Sequence, residues 1–412
     1  MAAASAGGGV ASEHPAAAPA FVFERAARAA TGVAEPRSEA PELFFTASGQ
    51  VVLLAVVGDG TKSALAEFVS ADGGDSFARR RDIVAASTGL SARGENRPQF
   101  TAEPDGAGAY GVWQATAGPG GHHSGGGTDG PLLRFVRAPL SMHDPLIPVV
   151  LDGSTRRYEG TATVAVSPDG IPHAAWIAPD ENGFGVFVAR SQDGGQTFGL
   201  PVRVGGGVCD CCRPSLAFGK NGAAYLGWRG VFAGDQRDVT VAASHDGGAS
   251  WAPPVRVSSD GWSVRGCPNS GPALSVAGDT LHVVWFTLGS AGRPQLRAAS
   301  SPDGTRFNPA HVVSGTVLDP NHPRFVAGPV PFPILVFEGR DPAGAGFGQT
   351  RPFLIAYRNG TWSRAQAVPA DPAGRDVGDV TATMRDRSTI FVAATARDAR
   401  GAAVEIVRGR LR

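Results

Sequence analysis

The chain has 412 residues with 37 basic and 37 acidic side chains, so it is formally neutral, and 42% of it is hydrophobic. Neutrality argues against nucleic acid and anionic membrane surfaces as bulk partners, which call for a basic excess, and no apolar run approaches the roughly 18 residues a spanning helix needs. Gly (57) and Pro (32) are abundant and only 8% is aromatic, a composition that favours many short strands and tight turns over long helices.

Residues 1–19, within "MAAASAGGGVASEHPAAAPA", read as a disordered Ala/Gly/Pro-rich tail that lacks the charged n-region and apolar h-region of a signal peptide. From residue 20 to 412 the pattern is that of one domain. "AFVFERA" at 20–26 predicts a strand. Thereafter one turn signature recurs: "SADGGDSF" at 70, "SQDGGQTF" at 191, "SHDGGASW" at 244 and "SPDGTRF" at 301, with a worn copy, "YRNGTWS", at 357. The spacings are 121, 53, 57 and 56, so the first gap is two periods; the missing copy falls in "FVRAPLSMHDPLIPVV". In this octapeptide Asp accepts backbone N–H groups within a turn, Gly takes the positive φ, and the last aromatic packs between sheets. Upstream of each turn lies an apolar strand with a bulky residue, Trp113, Trp176, Trp228, Trp285 or Phe337. Each unit of about fifty residues therefore predicts a four-stranded meander, the size of one propeller blade. Units open near Glu42, Arg97, Thr161, Pro214, Pro272, Arg324 and Val380. The last is one strand short, and "AFVFERA" is placed to supply it. The predicted fold is all-β, a single propeller of four-stranded blades, seven by this count and six if a terminal unit is accessory.

The S-x-D-G-G-x-[ST]-[FW] repeats resemble the Asp-boxes (BNR repeats) of the sialidase-like superfamily over nearly all of residues 42–412. "CDCCRPSLAF", "RGVFAGDQRD" and "DGWSVRGCPNSGPAL" are similar to segments of exported bacterial sialidase-like propellers that carry a CxCC motif and have no assigned function. The resemblance implies an extracytoplasmic setting, periplasmic or secreted. Asp-boxes are structural turns, so the repeat speaks for the fold far more than for an activity.

Strand direction sorts the loops onto two ends. The Asp-turns, His245 among them, join third to fourth strands at one end. At the other lie the connections between blades, "RGENRP" (93–98), "RRYEG" (156–160), "CDCCRP" (209–214), "RGCPNSGP" (265–272) and "DPNHPRF" (319–325), with the loop "GPGGHHSGGGTDG" (118–130). A ligand (small molecule, peptide or glycan) is expected at this mouth of the channel.

A sialidase uses three arginines on the substrate carboxylate, a Tyr nucleophile assisted by Glu, and an Asp acid/base. The candidates are Arg97, Arg213 and Arg324, with Tyr158 beside Glu159. The [FY]-R-I-P signature of true sialidases is missing, and adjacent strand residues point to opposite sides, so Tyr158 and Glu159 act together only if their loop bends. An exo-sialidase-type hydrolase is thus the alternative. The alternative to salt-bridging roles for these arginines is carboxylate recognition.

Three of the four cysteines, Cys209, Cys211 and Cys212, open one blade, and Cys267 opens the next. Three readings stand together: disulfides, which an oxidising compartment favours; a metal site of Cys209, Cys211, Cys212 and Cys267, with His122, His123 and His322 as weaker ligands, for which thiolates select copper, or zinc in its place; and a redox or nucleophilic cysteine. The leading expectation is a ligand- or metal-binding cysteine cluster at the channel mouth, as a copper centre able to support catalysis. A non-catalytic binding scaffold with structural disulfides is the third.

Overall fold

Alternation along the apolar strands puts Trp113, Trp176, Trp228, Trp285 and Phe337 into buried positions between neighbouring sheets, each at most 4% exposed. The structure, a computed structural model, describes residues 21–24, 27–28, 37–58, 62–87, 90, 92, 94–115, 132–151, 161–342, 349–369, 375–399 and 401–412. The proposed tail at 1–19, Tyr158, Glu159, His122 and His123 lie outside these residues. Among them one 3₁₀ turn, Gly94–Asn96, is the only helical element; everything else ordered is strand or turn.

Four antiparallel sheets have four strands each, in simple meander order: Gln99–Ala102, Gly108–Ala115, Leu132–Pro139 and Val149–Val150; Ala162–Val166 to Val202–Gly206; Ser215–Phe218 to Val255–Arg256; and Ala273–Ala277 to His311–Val312. A fifth, from Leu318–Phe325 onward, has its outer strand split in two, Thr361–Trp362 and Gln366–Ala367, where the worn turn "RNGTWS" falls. The remaining strands form one nine-stranded sheet, in which the meander from Arg37–Phe45 to Ala78–Ser87 meets the C-terminal strands Asp376–Met384, Thr389–Asp398 and Gly401–Leu411. A single parallel bridge, Arg37 to Ala402, links the two halves. Phe21–Phe23 pairs antiparallel with the last strand, Phe21 opposite Leu411.

The arrangement is that of a β-propeller. The first strand of each unit lies against the first strand of the next: Arg37–Phe45 against Gln99–Ala102, then Ala162–Val166, Ser215–Phe218, Ala273–Ala277, Leu318–Phe325 and Asp376–Met384, which returns to Arg37–Phe45. The core is correspondingly divided among the interfaces between sheets. Leu43, Leu53 and Phe68 pack against Phe391 and Ile406, and Leu226 and Trp228 against Ile177 and Val186.

Each recurring turn is closed by its own side chains. Ser70 Oγ accepts from Gly74 N (2.7 Å), and Asp72 accepts the N–H groups of Asp75 (3.0 Å) and Ser76 (2.9 Å). The turns at Asp193, Asp246 and Asp303 repeat the scheme. Hydrogen bonds from Ser76, Thr197 and Ser250 hold Asp72, Asp193 and Asp246 far below the usual carboxylate range. Gly74 has φ 105°, and a Cβ there would strike the Phe391 ring, so the turn packs against the adjoining sheet. Where the turn is missing, the chain reaches back instead: Leu146 N donates to Ile83 O of the preceding sheet (2.7 Å).

Candidate functional site

The connections that open the sheets converge at the end of the axis opposite the Asp-turns. Cys209–Cys212 sits between Val202–Gly206 and Ser215–Phe218, and Cys267 holds the equivalent place before Ala273–Ala277. Their loops touch backbone to backbone: a Cβ on Gly271 would collide with the carbonyl oxygen of Arg213. Cys211 and Cys267 are disulfide-bonded, with Cα atoms 6.1 Å apart. Cys209 and Cys212 are free and buried, their Sγ atoms 3.0 Å apart, and Cys211 Sγ lies 3.6 Å from Cys209 and 3.9 Å from Cys212.

Two arginines flank this pair. Arg229 is fully buried and stacks over Trp262 (5.3 Å), and its hydrogen bonds go to the carbonyl oxygens of Ser270 (2.9 Å), Arg237 (3.1 Å) and Phe286 (2.7 Å). Arg237, 9% exposed, reaches Gly266 O at 3.5 Å, while its Nε and Nη1 have no hydrogen-bond partner among the described residues. Among the described residues neither guanidinium has a carboxylate partner, an unusual state for buried cations. The hydrogen bond from Cys212 pulls the Cys209 thiol below its ordinary pKa against the effect of burial, with Arg229 and Arg237 adding to the pull. Burial and the same hydrogen bond push Cys212 well above it. Cys209 is thus the more acidic thiol of the pair, favoured by the hydrogen bond from Cys212 and by the two nearby guanidinium groups.

Next to the cysteines, the axis is filled by a network of buried and half-buried charges. Arg97 donates to Asp379 (2.9 Å), which Arg397 also pairs, and Arg397 reaches Glu39 at 3.2 Å. Arg324 grips Glu42 through both terminal nitrogens, at 2.7 and 3.0 Å, and Thr381 Oγ1 donates to the same carboxylate (3.2 Å). Glu95 accepts from Arg213 N (3.1 Å), and the Arg213 guanidinium donates to the backbone carbonyls of Gly94 and Glu95. His322 donates from Nδ1 to Glu338 (2.9 Å) and from Nε2 to Asn269 O (3.0 Å). Both partners are acceptors, so both ring nitrogens carry hydrogen and the ring is an imidazolium. Burial opposes that charge, but Glu338 and Glu95 prevail and raise its pKa to about 9. Burial likewise lowers Arg213 to about 10, whereas for Arg97 the carboxylates of Asp379, Glu42, Glu338 and Glu95 outweigh burial and hold the guanidinium above its usual value.

Three first strands aim these groups by the same device. Register shifts between Glu39 and Glu42, Asn321 and Arg324, and Gly378 and Thr381 each set three residues against two, and each bulge holds a non-glycine residue at positive φ: Ala40 (52°), His322 (47°) and Asp379 (52°). Bulges re-aim side chains, and left-handed non-glycine residues are maintained only where their surroundings over-determine them.

Comparison with solved structures places this architecture. A protein of unknown function from Dyadobacter fermentans is similar over 96% of this chain and 100% of its own (TM-score 0.51, 14% identity). The polysaccharide lyase Uly1 is similar over 91% and 90% (TM-score 0.57, 12% identity), and the Hadza microbial sialidase Hz136 over 91% and 66% (TM-score 0.50, 14% identity). The chain has the sialidase-like β-propeller fold. No protein-family model and no curated protein matches the sequence.

On this propeller the predicted residues fall as follows. Cys209, Cys211, Cys212 and Cys267 do come together, three sulfurs lying within 4.8 Å of one another. Arg97, Arg213 and Arg324 surround one region of the axis, and each is engaged by protein acceptors. His322 lies in the charged network with both nitrogens occupied. Glu42, Glu338 and Asp379, which complete the network, were not singled out by sequence reasoning. The one available signal was proline after a bulge residue, in "EAPE" and "NHPRF". No helix among the described residues is long and apolar enough to cross a membrane.

Proposed function

We propose that the chain is an extracytoplasmic sialidase-like propeller, one domain over residues 20–412, whose cysteine cluster binds a soft metal ion. We count seven blades, on the support of the circuit of first strands, with Phe21–Phe23 as the closing strand of the last blade, on the support of its register with Leu411.

The observation that carries the metal reading is the buried pair of free sulfurs, Cys209 and Cys212, beside a guanidinium with no carboxylate partner among the described residues. Thiolates select Cu(I) and Zn(II). While Cys211 is bonded to Cys267 two thiolates remain, whereas a structural zinc takes four protein ligands. A dithiolate around a monovalent ion keeps one net negative charge, which Arg229 balances, so copper is the first choice and zinc the second. Cys209 and Cys212 would hold such an ion between their two sulfurs, now 3.0 Å apart. The ligand at the channel mouth is a small molecule, peptide or glycan. The glycan reading is supported by the sialidase and the polysaccharide lyase that share the fold, and such a ligand competes with Asp379 and Glu42 for Arg97 and Arg324.

The test is anaerobic Cu(I) titration against bicinchoninate, using protein purified without chelator or reductant. One equivalent per chain is expected, with both reactive thiols masked, and Cys209→Ser and Cys212→Ser should each abolish it. Binding unchanged in both variants, or no binding in the wild type, refutes the assignment.

A further inference from the structure

The four sulfurs also have a chemistry that needs no metal. Cys209-Asp-Cys-Cys contains a C-x-x-C pair, Cys209 and Cys212, closed into a turn by Cys212 N donating to Cys209 O (3.3 Å). The pair is a dithiol at 3% and 0% exposure, shut off from solvent. Directly above it lies a disulfide whose two ends differ: Cys211 is half-buried and Cys267 is exposed. The buried dithiol is within 3.6 Å (Cys209) and 3.9 Å (Cys212) of Cys211 Sγ, and its own sulfurs are 3.0 Å apart. Every sulfur in the series Cys212, Cys209, Cys211, Cys267 is therefore next to the one it would attack or be displaced from.

We propose that these cysteines form a two-electron thiol–disulfide relay, in which the buried Cys209/Cys212 dithiol passes its electrons through the Cys211–Cys267 disulfide to a disulfide in solution. In the first step Cys209, as thiolate, attacks Cys211: the Cys209–Cys211 bond forms, the Cys211–Cys267 bond breaks, and Cys267 leaves with the electron pair and takes up a proton. In the second step Cys212 attacks Cys209: the Cys209–Cys212 bond forms, and Cys211 leaves as thiolate and takes the proton that Cys212 gave up. One S–S bond has replaced another and two protons have moved from the buried pair to the surface pair, with no outside oxidant. The surface dithiol Cys211/Cys267 then reduces an external disulfide, RSSR, to two RSH and closes again. The exposure of Cys267 admits a disulfide of glutathione size or one on an exposed protein loop, while the burial of Cys209 keeps that reagent from the inner pair.

This reading goes beyond metal binding and uses the same thiols, so the test keeps the two apart. Metal-free full-length protein is held at pH 8, alkylated under native conditions, and mapped as non-reduced peptides, with oxidised glutathione as the external disulfide. In the wild type without glutathione the relay gives a fraction with a Cys209–Cys212 bond and alkylated Cys211 and Cys267; with oxidised glutathione both bonds are found and two equivalents of reduced glutathione are released per chain. Cys212→Ser stops after the first step and accumulates a Cys209–Cys211 bond with Cys267 alkylated, a new species that misfolding does not produce. Cys209→Ser retains Cys211–Cys267 and releases no glutathione. If Cys211–Cys267 is the only bond found in the wild type and in Cys212→Ser, the relay is overturned. Copper bound by that same unshuffled protein leaves the metal reading standing, and a working relay without copper binding does the reverse.

Discussion

His322 joins two neighbouring sheets through a single charge, and removing that charge has a calculable effect. Its pKa rises from 6.5 to about 9 because burial is outweighed by Glu338 and Glu95. A group raised on folding contributes fully below its unfolded value, and the contribution is lost as pH climbs from 6.5 through about 9. At ~1.4 kcal/mol per unit the shift is worth about 3 kcal/mol, an upper figure because the Glu338 carboxylate shares the same interaction. With an unfolding entropy of ~2.1 cal/mol/K per residue over 412 residues, that is about 3–4 °C in Tm. His322→Gln keeps a hydrogen-bonding side chain without the charge. Differential scanning calorimetry of both proteins from pH 6 to 10 should show the wild type ahead by this amount at pH 6 and the gap closing by pH 10. Subtracting the variant cancels every other group that titrates in the range. A gap of constant size across that range would refute the imidazolium assignment.

Other consequences follow from the charged network and the cysteine loops. Glu42→Gln takes the charge from the buried partner of the half-buried Arg324, so denaturant unfolding should register a loss of about 2 kcal/mol; a change below ~0.5 kcal/mol would mean the pair is solvated. Gly271→Ala forces the Cys267 loop off the Arg213 carbonyl, costing about 1–3 kcal/mol. A thiol titration under denaturing conditions should find four thiols in that variant where the wild type has two, and an unchanged count with an unchanged midpoint would show that the loops are not in contact there.

Much of the fold was legible because its signals are local. The Asp-turn is closed by atoms within six residues of Ser70, Ser191, Ser244 or Ser301, so the sequence that makes the turn also announces it. The bulky second-strand residues recur at blade spacing for an equally local reason, since each strand must bury one face. The first strand at Leu318 begins six residues ahead of the predicted opening at Arg324, because bulges lengthen it without adding to the apolar pattern. The cysteine constellation was legible in outline: equivalent loops of adjacent blades bring Cys267 to the triplet. Which cysteine it pairs with was not, since Cys209, Cys211 and Cys212 are three neighbours that differ only in the direction each side chain takes in one turn.

By itself the sequence determined the repeat, the strand order, the face on which each loop emerges and the residues worth examining there. The tertiary structure decided their partners. Arg97 meets Asp379 and Arg324 meets Glu42 across 282 residues of chain, and His322 meets Asn269 across 53. Such pairs form where the first strands stand side by side around the axis, and positive-φ bulges at Ala40, His322 and Asp379 turn the side chains toward one another. A carboxylate far along the chain leaves no mark on the residues around an arginine. Buried charge must still find its counter-charge, and here the packing of the sheets chose which one.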